Sequence, residues 1–239
     1  MNNTEIKIAD STRDFEGIRE IWDEQFPADL EYQETVFSKI LPLCKTYIIV
    51  QNDDSADSGK VLSIASLMPM NFIDTSAENR QRPVKFNGWY MFGVATRGGF
   101  MGKGLASALL KHIISNESIN NYSFIFERPA NQHLIDFYLK FGFTKLIKKK
   151  NYRFDTINSN FKESKNAEYV INKLKLFPKR FEWESAELLE SLIALGEIER
   201  HQELLTPESL QEECYIAVKP LNDTPESLFD DAFFCFPLE

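Results

Sequence analysis

The sequence predicts an α/β fold that carries a smaller α/β portion at its C-terminus, and three observations predict it. Short β-like runs alternate with amphipathic helical ones from the N-terminus to about residue 155. The hydrophobic run Trp89-Tyr90-Met91-Phe92-Gly93-Val94 passes through Gly102-Lys103-Gly104 into a helical run, Leu105 to Ile114. Further on, Asn131 opens a short helix, and Phe141-Gly142-Phe143 ends it with a glycine suited to a left-handed cap before the next strand.

Taken in order, Ile6-Lys7-Ile8 reads as a first strand. Asp10 or Ser11 is placed to cap a helix with Phe15, Ile18, Ile21 and Trp22 at helical spacing, which Pro27 ends. Tyr32 to Leu41 reads as a second helix with Val36, Phe37 and Ile40 on one face. Tyr47 to Val50 is a buried strand, 52–58 a polar turn, and Val61 to Met68 the returning arm of a hairpin. A polar loop, Ser76 to Arg82, leads to the strand that feeds the glycines. Tyr122 to Phe126 and Phe143 to Phe154 read as strands, with Lys148-Lys149-Lys150 solvated. Past residue 155 the pattern changes: 158–166 reads as a linker, Ser185 to Leu195 as a helix capped at Glu184 or Ser185, and Tyr215 to Val218 and Phe233 to Phe236 as closing strands. The expected organisation is a first domain over 1–155 and an α/β extension over 156–239 docked on it, shaping the substrate side.

Composition bounds the function. With 239 residues, 43% hydrophobic and 26% charged, the chain is an ordinary globular sequence with ample core. Its apolar runs are too short to span a bilayer and no signal-peptide pattern opens it, so the expectation is a cytoplasmic protein without a membrane partner. Cys44, Cys214 and Cys235 lack ligand spacing, as do His112, His133 and His201, so no metal is expected. A net charge of −9 argues against a nucleic-acid surface.

A strand that turns through glycines into a helix start presents unpaired backbone N–H groups to which the helix dipole attracts anions, a pyrophosphate among them. The same glycine pair also serves as a simple tight turn. Two nucleotide patterns fail: the phosphate loop Gly-x-x-x-x-Gly-Lys-Ser/Thr is absent, and a dinucleotide fold places its glycines at the first strand.

Over about residues 87–145 the chain resembles the GNAT superfamily of acyl-CoA-dependent N-acyltransferases. The family's pyrophosphate loop, Gln/Arg-x-x-Gly-x-Gly/Ala, reads here as Met101-Gly102-Lys103-Gly104-Leu105-Ala106, with Met101 in place of the usual Gln or Arg. Its Asn, then Tyr seven later, then Gly-Phe reads as Asn131, Tyr138 and Gly142-Phe143. Val94-Ala95-Thr96 resembles the family's strand exit. The resemblance implies a mixed β-sheet flanked by helices, acetyl-CoA as acyl donor, and a primary amine of a small molecule or peptide as acceptor. It places the donor against Val94, Ala95, Thr96, Met101, Gly102, Lys103, Gly104, Leu105, Ala106 and Asn131, and it gives Tyr138 the role of proton donor to the thiolate.

The chemistry asks for the same parts. An amine with a pKa of about 10.4 must lose a proton before it attacks, and a thiolate of pKa about 8.5 must gain one, which a tyrosine of about 10 still carries at neutral pH. Tyr138 has a second reading as a core aromatic, in line with Leu134, Phe137 and Phe141, and Asn131 one as a helix N-cap. The family often places an acid on the strand before the loop, where residues 87–96 have none. Glu127 is the leading base, with pairing to Arg128 at the surface as its other reading. Glu31, Glu34, the terminal carboxylate of Glu239 and a water held by Tyr90 are alternatives. Met101 also opens a second function, an acyl-CoA-binding or sensing protein without turnover.

Overall fold

The structure, a computed structural model, describes residues 3–28, 30–53, 58–76, 82–148, 175, 177–192, 194 and 215–232. Its strands are β1 (Thr4–Ile8), β2 (Lys45–Gln51), β3 (Val61–Asp74), β4 (Val84–Thr96), β5 (Phe124–Glu127), β6 (Lys145–Lys148), β7 (Lys179–Trp183) and β8 (Tyr215–Pro220). The main helices are α1 (Phe15–Gln25), α2 (Leu30–Thr35), α3 (Leu105–Ile119) and α4 (Gln132–Leu139). The strands form one mixed sheet in the order β1-β2-β3-β4-β5-β8-β6, and β7 also pairs with β3. Only β4 and β5 run parallel among the pairs described; the others are antiparallel.

Strand alternation sends successive side chains to opposite faces, and the run Trp89-Tyr90-Met91 divides that way. Tyr90 joins a core with Ile18, Ile21 and Trp22 of α1, while Trp89 and Met91 join one with Leu109, Leu110 and Ile113 of α3. These three α3 side chains are wholly buried, each worth about 1.5–3 kcal/mol by burial. Helices thus cover both faces.

The C-terminal portion, read from sequence as an extension, contributes strands to that same sheet. β8 lies between β5 and β6, while β7 pairs Met70–Asp74 on the edge of β3 that β2 occupies over Val61–Leu67. Phe181 of β7 and Phe229 enter the α1-side core, 5.4 Å from Phe124 and 5.0 Å from Phe72 respectively.

Helix ends show which local signals hold. Asn131 Oδ1 accepts from Leu134 N at 3.1 Å, and Ser185 Oγ accepts from Leu188 N at 3.1 Å, so both expected caps form. Gly142, at φ +84°, closes α4. The start of α1 differs from expectation: Asp10 Oδ1 accepts from the N–H groups of Thr12 and Arg13, which fixes a turn, and the helix begins at Phe15. The second helix tightens and widens along its length, running from α2 into a π-helical turn, Val36–Ile40, and a 3₁₀ turn, Leu41–Leu43. The strand expected over Phe143 to Phe154 starts at Lys145 and is described to Lys148. The linker at 158–166, the strand Phe233 to Phe236, Cys214, Cys235, His201 and Glu239 lie outside the described residues.

Candidate active site

β4 outlasts its parallel partner. The two strands pair from Gly88↔Phe124 to Met91↔Glu127, where β5 ends, while β4 runs on to Thr96 paired with β3. Among the described residues, the β5-facing edge of β4 past Met91 has no strand beside it. The register of β3 against β4 shifts there, between Ile64 and Ser66, and Gly93 takes φ +60°. A Cβ on Gly93 would stand 2.8 Å from Trp22 Cζ2, so close approach of α1 and a left-handed backbone both call for glycine. Beyond the bulge, Ser63 Oγ donates to Ala95 O at 2.8 Å and bonds Thr96 Oγ1 at 2.9 Å. Ala95 is buried; Val94 and Thr96 are half-buried.

The chain then turns through Gly98–Phe100 into the glycine loop. Gly102 and Gly104 have φ +72° and +79°, and Gly104 is the N-cap of α3 without a side chain to cover the helix start. The bond from Ala108 N to Gly104 O, 3.0 Å, is the first i→i−4 bond of that helix. The N–H groups of Leu105, Ala106 and Ser107 precede it, the donors a helix start leaves over. Met101 is 58% exposed. Lys103 Nζ stands 4.5 Å above the Phe100 ring. A cavity of about 280 Å³ opens beside this loop toward β1, lined by Leu62, Phe100, Lys103 and Leu105.

At the other end of the split lie Glu127 and Tyr138. Glu127 is 3% exposed, and its Oε1 has no hydrogen-bond partner among the described residues. Burial alone pushes this carboxyl up to about 9, because the charged form loses its water. The surface-pair reading with Arg128 therefore does not describe it. Tyr138 is buried between Phe137 and Phe143, at ring distances of 5.3 and 5.5 Å. Burial first, then the charges of Glu127 and Tyr90, raises its hydroxyl well above the ordinary range. The fold thus brings Glu127, Tyr138 and Tyr90 within electrostatic reach. Glu31 and Glu34 are exposed on α2. His112 and His133 are exposed too, and no group of His, Cys, Asp and Glu suited to a metal ion occurs among the described residues.

Sequence reasoning missed Glu117 of α3, which is wholly buried. Its carboxylate accepts from Lys45 Nζ and Tyr47 OH, each at 2.6 Å, from Trp89 Nε1 at 2.9 Å and from Asn116 Nδ2 at 3.2 Å. The signal was present: Glu117 falls on the stripe of Leu109, Leu110 and Ile113 at helical spacing.

The acetyltransferase (GNAT) family model matches residues 15–143, more than half of the 239 residues, and spans the split strands, the glycine loop, Glu127 and Tyr138. The chain belongs to the GNAT family. No curated protein matches it. Among solved structures, a probable N-acyltransferase from Enterococcus faecalis V583 is 18% identical with a TM-score of 0.46, over 58% of this chain and 32% of that one. A GNAT family N-acetyltransferase from Escherichia coli in complex with CoA is 17% identical with a TM-score of 0.45, over 59% and 68%. The ribosomal-protein-S18-alanine N-acetyltransferase from Escherichia coli is 20% identical with a TM-score of 0.44, over 62% and 83%. This chain therefore spans about a third of the length of the Enterococcus protein. No helix among the described residues is long and apolar enough to cross a membrane.

Proposed function

We propose that this GNAT chain transfers an acetyl group from acetyl-CoA to a primary amine of a small molecule or peptide, in the cytoplasm. The observation that carries the reading is the end of the parallel pair at Met91↔Glu127, with a buried acid whose Oε1 lacks a partner among the described residues on one side and a helix start without a side-chain cap on the other. The Gly102–Ala106 backbone, with Lys103, holds the pyrophosphate, and the free edge of β4 over Val94–Thr96 receives the arm that carries the thioester. Asn131, whose side chain caps α4, sets the second wall. Residues 1–155 form the acyl-CoA-binding part. The portion 156–239 shapes the acceptor side, where Trp183 of β7 lies edge-on to Tyr90 at 6.0 Å.

Glu127 takes the proton from the amine. In the free protein its carboxyl, at about 9, keeps its own proton at neutral pH. A cationic amine within a few ångströms pulls that value down, so Glu127 gives its own proton to solvent as the amine arrives and the carboxylate is free to accept the amine's proton. The freed nitrogen bonds to the acyl carbon as the carbon–sulfur bond breaks. The thiolate takes the proton of Tyr138, which burial keeps protonated until then.

A second reading, acyl-CoA binding without turnover, draws on Met101, whose side chain has no donors, and on residues 87–96, which hold no acid. Thiol release from acetyl-CoA across a panel of amines separates the two. Turnover is expected, and Tyr138→Phe should lower kcat about 10²–10⁴-fold at unchanged melting temperature. Binding of acetyl-CoA with no thiol release on any amine would make the protein a sensor.

A further inference from the structure

The turn that leads into the glycine loop is gripped by a helix from the other face of the sheet. Arg97 donates through Nε to Val61 O at 2.9 Å and through a terminal nitrogen to Glu20 Oε2 at 2.7 Å. The next residue, Gly98, donates its backbone N–H to Glu24 Oε1 at 2.8 Å. Glu20 and Glu24 stand one turn apart on α1, and between them Trp22 packs on the bulge at Gly93. One helix therefore touches both ends of the segment Gly93–Gly98. Arg97 is itself committed to this grip.

We propose that Glu24, with Glu20, is a positioning residue for the phosphate loop: α1 fixes the turn from which the loop's N–H groups are aimed at CoA. The inference rests on the CoA reading above and deepens it. With Met101 supplying no side-chain donor, the loop depends on backbone N–H groups, whose strength as an anion site follows from being held in place before the ligand arrives. The contacts themselves are surface contacts: Glu20 is 60% exposed, and such pairs add little to global stability. Their effect is therefore expected in ligand affinity and not in melting temperature.

Charge and hydrogen bonding act here with opposite sign, which makes the idea testable. A carboxylate near bound phosphates repels them, so a pure charge role predicts that Glu24→Ala and Glu24→Gln both bind CoA more tightly. A positioning role predicts a split. Glu24→Gln keeps an acceptor for Gly98 N–H and should bind CoA as well as the wild type or better, whereas Glu24→Ala should weaken it roughly three- to tenfold. Gly98→Ala offers the same loss from the other side. Its methyl would lie 2.1 Å from Glu24 Oε1, the free end of a flexible side chain, so the carboxylate swings away while its charge stays.

Titration calorimetry with CoA, and with pantetheine as a probe that lacks the phosphates, gives the answer. The expected result is weaker CoA binding in Glu24→Ala and Gly98→Ala, retained binding in Glu24→Gln, and unchanged pantetheine affinity in all three. Equal CoA affinity across the set overturns the proposal. So does a parallel loss for CoA and pantetheine, which would mean that the whole cleft has loosened. A wild-type protein that binds no CoA at all removes the CoA reading itself, and the grip on the loop with it.

Discussion

Two glutamates are buried beneath the layer of α3 and α4, and the fold treats them in opposite ways. Glu117 sits among Lys45, Tyr47, Trp89 and Asn116, all donating to its carboxylate. Glu127 lies at the end of β5 with an oxygen, Oε1, that no donor among the described residues reaches, and burial holds its proton to about 9. Burying an acid is tolerable where donors replace lost water, and costly where they do not. Glu117 ties α3 to β2 and β4, so it is part of the frame. Glu127 stands at the mouth of the strand split, and a strained acid there costs stability that a group serving only the frame would not.

The sharpest way to break the comparison is to remove the partnered acid. Glu117→Ala strands a lysine, a tyrosine and an indole N–H in the interior, and it should cost about 3–5 kcal/mol. Denaturant unfolding reads this directly. An unchanged midpoint would mean that the network does not hold α3, and Glu117 would no longer serve as the contrast.

Removing Glu127 should act the other way. The folded-state value of Glu127, about 9, lies above its ordinary 4.5. Its protonated form is the one the fold favours, so its contribution is full below 4.5 and is lost as pH rises toward about 9. Glu127→Gln carries no such slope, and at pH 8 it should be more stable than wild type by several kcal/mol while kcat falls about 10²-fold. Melting curves over pH check the first part. The rising limb of kcat/KM near pH 9, present in wild type and absent in the variant, checks the second. Parallel loss of stability with pH in both proteins would mean that Glu127 is solvated. An activity that falls through that limb in wild type would make Glu127 the acid of the reaction and not its base.

This contrast also marks what the sequence could say. Signals confined to a few neighbouring residues were legible: the turn glycines 102 and 104, the left-handed Gly142, the caps Asn131 and Ser185, and the helical spacing of Ile18, Ile21 and Trp22. Each depends on backbone conformation or on a period that the chain itself displays. The insertion of β8 between β5 and β6 was not legible, nor the docking of β7 on β3, because pairing between distant strands leaves no local mark. For the same reason a surface acid paired with Arg128 stayed open as the other reading of Glu127: its burial comes from packing around β5, which adjacent residues do not encode. At the start of α1, two cap residues were in view, and only the turn held by Asp10 decides that regular helix begins at Phe15.

The smallest effect tests the opposite deficit at the other end of the site. Among the described residues, Glu127 Oε1 is an acceptor without a donor, and the start of α3 offers donors with no side-chain cap. An anion is the natural complement, and Met101, 58% exposed on the loop, adds nothing to hold it. Met101→Arg would bring a guanidinium beside those N–H groups. Charge-assisted bonds reach about 1.5–3 kcal/mol, but exposure and salt reduce them, so a gain in CoA affinity of roughly tenfold is expected. Calorimetry at low and high ionic strength should show the gain shrinking with salt, while pantetheine affinity stays the same and kcat holds, since Glu127 and Tyr138 are untouched. If Met101→Arg binds CoA no better at low salt, the phosphates do not pass Met101, and the bare start of α3 is a tight turn and nothing more.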